Sequence, residues 1–119
     1  MVAEACIANG GHIAIEWPRA CLYWRDRSVK AALRKWACTV HHLDGCMYKL
    51  RSQAAATRGT LLRKPWSIAT NANFEGIGRL CDKSHAHART QGIDTKMTEG
   101  YTVEFVDTIH ACWLLTAQL

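Results

Sequence analysis

Apolar positions fall into two rhythms along this chain, one close to helical and one of short unbroken runs, and the places where they change outline the expected elements. Residues 2–9 carry Val2, Ala5 and Cys6 at helical spacing without a breaker, and Asn9-Gly10-Gly11 supplies a left-handed stop, so a short helix is expected there. His12-Ile13-Ala14-Ile15-Glu16 is a β-branched run closed by Trp17-Pro18. Proline removes a ladder donor and restricts the residue before it, so this reads as a buried strand ending at Glu16 or Trp17. From Asp26 to Ala37, Val29, Ala32, Leu33 and Trp36 recur at i, i+3, i+4 and i+7, with Arg27, Lys30, Arg34 and Lys35 between them. This predicts an amphipathic helix with Asp26 as its cap.

Cys38-Thr39-Val40-His41-His42-Leu43 reads as a second strand, stopped by Asp44-Gly45. Strand, helix and strand in this order form a βαβ unit, so the two strands are expected to be parallel and joined by a right-handed crossover. Residues 45–59 read as a loop. Leu61-Leu62 and Trp66-Ser67-Ile68-Ala69-Thr70 offer a third strand, which the intervening Pro65 assigns to an edge. Asn71 or Asn73 is expected to cap a helix over 74–81, followed by a polar loop over roughly 82–97. Thr102 opens the last helix, whose stripe of Val103, Val106, Ile109, His110 and Trp113 is expected to face the sheet. The expected fold class is α/β. It is a small Rossmann-like three-layer domain with about three strands, two parallel plus an edge strand, and three to four helices, spanning 1–119 as one unit.

Length and composition agree with that picture. At 119 residues and 49% apolar content, the chain has room for one core, and no run reaches the ~18 apolar residues of a membrane span. The opening MVAEACIANGGH has no basic leader and no long apolar stretch, so an intracellular location, cytoplasmic or nuclear, is expected, with no membrane partner. In that reducing setting the six cysteines (Cys6, Cys21, Cys38, Cys46, Cys81 and Cys112) read as thiols and metal ligands rather than as disulfides.

Charge changes the picture by its placement. The net charge is +5, yet residues 19–64 alone carry eleven Lys/Arg against Asp26 and Asp44, while residues 98–119 carry three acids and no base. A basic block of this kind attracts polyanions through counterion release, and a solvated helix face gives the same pattern.

The most pointed candidate chemistry is Cys81-Asp-Lys-Ser-His85-Ala-His87. Cys81 and His85 share a side if a helix persists to that point, and His85 and His87 share a side of extended chain. A thiolate with two imidazoles suits zinc. Cys46, just past the second strand, is the candidate fourth ligand, with His110 and Cys112 as substitutes. The opposing reading makes Cys81 a buried thiol and the histidines ordinary surface residues. Glu16 lies at the end of a strand, where α/β sheets place ligand contacts. It is grouped with Arg19, Arg27, Lys30, Arg34, Arg63 and Lys64 as the candidate nucleic-acid contacts. Trp17, Tyr23 and Trp24 either stack on bases or belong to the core. There is no glycine-rich phosphate loop, since Gly10-Gly11 precedes a strand instead of following one.

With Ile15-Glu16-Trp17-Pro18-Arg19, a helix, a strand and then RKPWSIATN at 63–71, residues 10–71 resemble the second half of the catalytic domain of DNA cytosine-5 methyltransferases. The resemblance implies that Glu16 stands where that family's glutamate grips the target cytosine, and that Arg63 or Lys64 stands where its basic turn meets DNA. Trp17-Pro18 replaces the family's Asn-Val. Its Pro-Cys nucleophile and its S-adenosylmethionine turn have no counterpart. The chain also resembles segments of mobile-element polyproteins that share a Cys, a His-x-His and a Thr-Glu-x-Tyr stretch like Thr98–Tyr101.

These readings converge on a non-catalytic, zinc-stabilised nucleic-acid-binding module truncated from a methyltransferase-like domain. Two alternatives stand beside it. One is a methyltransferase half-domain completed by a parent polyprotein or a complementary subunit. The other is a structural fragment that forms homo-oligomers.

Overall fold

A computed structural model describes residues 2–98 and 100–117. Its elements are α1 (Val2–Ala8), β1 (Ala14–Pro18), α2 (Arg27–Lys35), β2 (Thr39–Asp44), β3 (Pro65–Thr70), α3 (Ile93–Met97) and α4 (Val103–Ala117), with short 3₁₀ turns at Leu22–Arg25 and Gly45–Tyr48. Glu99, part of the Thr-Glu-x-Tyr stretch, lies outside the described residues.

The sheet overturns the Rossmann-like expectation. Its order is β1-β3-β2, and both pairings are antiparallel, with Glu16 opposite Ile68 and His41 opposite Ile68 on the other side. β1 and β2 therefore do not pair, and the strand expected at an edge is the central one. The proline that argued for an edge sits at the first position of β3, opposite Asp44, where a missing N–H leaves the rest of the ladder intact. After Pro65 every residue of β3 is buried, which only the middle of a covered sheet provides.

Helices cover both faces. On one face Trp66 stacks on Phe105 of α4, at 5.1 Å between ring centroids. On the other, Ile15 and Trp17 of β1 share a groove with Val29, Ala32, Leu33 and Trp36 of α2. The expected cap of α2 is present, as Asp26 accepts the N–H groups of Ser28 and Val29 at 2.8 and 3.1 Å. Thr102 likewise caps α4 by accepting the Phe105 N–H at 3.1 Å.

Three local expectations fail. No helix forms over 74–81. Gly76 adopts φ +87, and Phe74 and Ile77 instead plug the core from an irregular segment. The polar loop over 82–97 contains α3 at its end. The α4 stripe is phased differently. Val103 and Val106 are exposed at 71% and 38%, and the buried positions are Phe105, Cys112 and Thr116, while Ile109 and Trp113 of the expected stripe do pack beside them. The core gathers Leu43, Tyr48, Leu62, Trp66, Ile68 and Phe105 beneath this face. No described helix is long and apolar enough to cross a membrane.

Candidate metal centre

The four residues nominated as metal ligands converge. One donor atom from each of Cys46, Cys81, His85 and His87 lies within 4.8 Å of the others. Cys46 is buried in the 3₁₀ turn that follows β2, and the remaining three lie on the irregular segment between β3 and α3. Cys81 Sγ is 3.6 Å from His85 Nε2 and 3.5 Å from His87 Nε2. Zinc–sulfur and zinc–nitrogen bonds of ~2.3 and ~2.05 Å at tetrahedral angles put sulfur and nitrogen about 3.6 Å apart. The two Cys81–imidazole separations therefore match the edges of a tetrahedral Cys₂His₂ site, and Cys46 lies within 4.8 Å of all three.

A tight turn creates this geometry, not the helical spacing expected from the sequence. Lys83 occupies the left-handed region at φ +62, and its N–H donates to Cys81 Sγ at 3.3 Å. Asp82 accepts the N–H of Ser84 at 3.0 Å and its hydroxyl at 2.6 Å, closing the turn. Those two hydrogen bonds also hold the Asp82 carboxyl below the usual range. With Nε2 of His85 turned to the cage, its Nδ1 faces Ser84 Oγ at 3.3 Å and Asp82 Oδ1 at 3.7 Å. Outer partners of this kind fix the orientation of a ligating imidazole. Burial first, then the hydrogen bond and charge of Cys81, push the Cys46 thiol up to about 12. That buried thiol becomes a thiolate when a metal displaces its proton.

Asp44 anchors the centre and was read from sequence only as a strand stop. Fully buried, it accepts the Cys81 N–H at 2.7 Å on Oδ2 and Arg19 Nη2 at 2.9 Å on Oδ1, with Arg63 Nε 3.5 Å from Oδ2. Its own N–H donates to the Arg79 carbonyl at 2.9 Å. The end of β2 and the segment that carries three ligands are thus pinned together beside the cage.

The candidate nucleic-acid residues are distributed differently. Arg27, Lys30 and Arg34 are exposed on α2. Arg19 also donates to the Leu43 carbonyl at 2.7 Å, and Lys64 donates to the carbonyl and, at 3.0 Å, the hydroxyl of Thr98, so both have structural partners. Glu16 is half-buried and accepts the Tyr101 hydroxyl beside an apolar cavity lined by Ile68 and Phe105. Burial, reinforced by Glu16, raises the Tyr101 phenol. Trp17 packs on Tyr23 and Trp24, with centroids 5.2 and 4.8 Å apart, in a tilted and an edge-on arrangement, so these rings contact one another. Of the substitute ligands, Cys112 is buried in the core and His110 is exposed on α4, both outside the cage. All six cysteines are free.

No protein-family model matches the chain, and neither a curated protein nor a solved structure matches it.

Proposed function

We propose that this chain is a non-catalytic module, held together by one zinc ion, that binds nucleic acid through its basic surface. The observation that carries the reading is the convergence of Cys46, Cys81, His85 and His87 within 4.8 Å of one another, with Cys81 Sγ 3.6 and 3.5 Å from the two imidazoles. Two thiolates and two imidazoles in a tetrahedral set favour zinc over magnesium or calcium, which prefer oxygen. Four protein ligands fill the tetrahedron and leave no open position for water or substrate, as in structural sites. The ion therefore serves stability, not hydrolysis.

The nucleic-acid part rests on charge. α2 presents Arg27, Lys30 and Arg34 to solvent, and the surrounding block from 19 to 64 holds eleven cations against two acids. Cations on such a face displace condensed counterions from a phosphate backbone, which gives affinity without base sequence preference. A truncated methyltransferase-like origin belongs to the same proposal and adds no chemistry to it.

Two measurements test the reading. Elemental analysis of protein purified without chelator is expected to find one zinc per chain, lost in Cys81→Ser. Anisotropy titrations with single- and double-stranded oligonucleotides are expected to give affinity that falls steeply with salt, and with a shallower slope in the triple variant Arg27→Ala/Lys30→Ala/Arg34→Ala. Zinc-free native protein defeats the first half, and affinity that is absent or flat with salt defeats the second.

A further inference from the structure

Strand alternation sends Ile15 and Trp17 of β1 toward α2, and Ala14 and Glu16 toward α4. An apolar residue would ordinarily fill the place of Glu16, because Ile68 stands opposite it and Phe105, Val106 and Ile109 of α4 line the same space. A carboxylate stands there instead, beside a cavity of about 210 Å³ whose other walls are almost wholly apolar. Tyr101 also lines the cavity and donates its hydroxyl to Glu16 Oε1. Oε2 is buried and receives no hydrogen bond from the described residues. Val106 and Tyr101 are both exposed, so the space opens to solvent past them.

A buried acceptor without a donor costs free energy, and a ligand that supplies the donor recovers it. No lysine or arginine is among the described residues of the lining, so the negative charge faces the cavity without a cation beside it. Low-polarity walls strengthen the pull on a positive group, and a hydrogen bond between two charged partners is stronger than a neutral one. The rings of Tyr101 and Phe105, 5.0 Å apart, add faces that attract a cation. Size and donor number narrow the ligand further. The cavity is smaller than the ~300–1,000 Å³ pockets that hold drug-sized molecules. A guanidinium brings five N–H donors to a single free acceptor, and magnesium or calcium requires about six or more oxygens. An ammonium on a short hydrocarbon chain meets the one free oxygen and the apolar walls together.

We propose that this cavity takes the end of an alkylammonium group, with an N–H bonded to Glu16 Oε2 and the carbon chain against Ile68, Val106 and Ile109. A free small amine and a lysine side chain carry the same chemistry. The site lies between β1 and α4 and draws on neither the zinc reading nor the nucleic-acid reading.

The test titrates the full chain with n-butylammonium, n-butanol and tetramethylammonium, following backbone amide NMR signals. Butylammonium is expected to saturate in the millimolar range and to shift signals of β1, Tyr101 and α4. Butanol is expected to bind about tenfold more weakly, the size of one charge-assisted contact. Tetramethylammonium, which has no N–H to give, is expected to bind no better than butanol. Glu16→Gln keeps an acceptor for Tyr101 and removes the charge, so it is expected to bring butylammonium down to the butanol level and to leave butanol unchanged. Val106→Phe, at an exposed position, fills the space and is expected to abolish binding of both. A short glycine peptide carrying one lysine separates the sources. Binding at least as tight as that of butylammonium assigns the site to a lysine side chain, and exclusion of the peptide assigns it to a free amine. Absence of saturable shifts at these residues, equal affinity for butanol and butylammonium, or amine binding that survives Glu16→Gln or Val106→Phe overturns the proposal.

Discussion

Replacing Asp44 by alanine tests the architecture around the metal centre more sharply than removing a ligand, because Asp44 touches no ion. Three donors lose their acceptor. The Cys81 N–H, 2.7 Å from Oδ2 and part-buried, is left unsatisfied at a cost of about 1–2 kcal/mol. The Arg19 guanidinium, 28% exposed, loses a charged partner at 2.9 Å. Breaking a fully buried pair costs about 3–5 kcal/mol, and partial access to water reduces that to roughly 2 kcal/mol here. Arg63, 55% exposed and 3.5 Å away, adds almost nothing. The expected total is about 3–4 kcal/mol, a large share of the ~5–15 kcal/mol that a domain has. Asp44→Asn keeps one acceptor and is expected to lose about half as much. Urea unfolding of the zinc-loaded protein at neutral pH measures both, with Arg63→Ala as the control expected to stay within ~0.5 kcal/mol. Because Asp44 positions Cys81, zinc affinity read by competition with a chromophoric chelator is expected to fall by about 10–100-fold in Asp44→Ala. An Asp44→Ala protein as stable as Arg63→Ala, or one with native zinc affinity, refutes the reasoning.

With a metal bridging Cys46 and Cys81 as proposed, its removal opens the loop between them, whose closure in a chain-entropy treatment is worth about 4 kcal/mol, so a chelator is expected to lower Tm by roughly 15 °C, read by circular dichroism. A Tm indifferent to chelator contradicts a structural metal. Phe105 packs against Trp66, Tyr48 and Tyr101 at 5.0–5.2 Å and is 3% exposed, so Phe105→Ala is expected to cost about 3–5 kcal/mol in urea unfolding. Asp94 accepts the Ser52 hydroxyl at 2.6 Å and the Gln53 N–H at 2.7 Å, and these bonds, the Ser52 one foremost, lower its carboxyl from the usual value. A depressed folded-state value means its stabilisation is complete above the unfolded value of ~3.9 and is lost as pH falls through the folded one. The stability gap between wild type and Asp94→Asn is therefore expected to be constant near neutrality and to close in strong acid. A gap that widens with acidification reverses the assignment.

The Cys/His quartet was legible because its chemistry is local. A thiol and two imidazoles within seven residues need only one turn, and Cys46 follows a strand end whose position the apolar run announced. The backbone that joins them was not legible, because the turn depends on Lys83 holding a left-handed conformation that lysine does not advertise. The sheet order was hidden for a different reason. β1, α2 and β2 are consistent with adjacent parallel strands until a third strand competes for the same edges, and the long connection from Gly45 to Lys64 lets β3 return between them. Antiparallel pairing to both neighbours then satisfies the N–H and C=O groups of β3 on either side, apart from the proline that opens it.

The α4 face failed for want of contrast. Apolar residues surround that helix, with Val103, Phe105, Val106, Leu114 and Leu115 spread around its circumference, so periodicity cannot phase it. The aromatic cluster of Phe105 with Trp66 and Tyr48 decides the phase instead. The same blindness to long-range partners inflated the basic block. Arg19, Arg63 and Lys64 counted as free charge in the sequence, and in the fold they meet Asp44 and Thr98, residues nineteen to thirty-four positions away. What a charge count cannot separate is a cation that waits for a ligand from one that holds the chain together. Here Arg19, held by Asp44, belongs to the second kind, while Arg27, Lys30 and Arg34 on α2 face solvent.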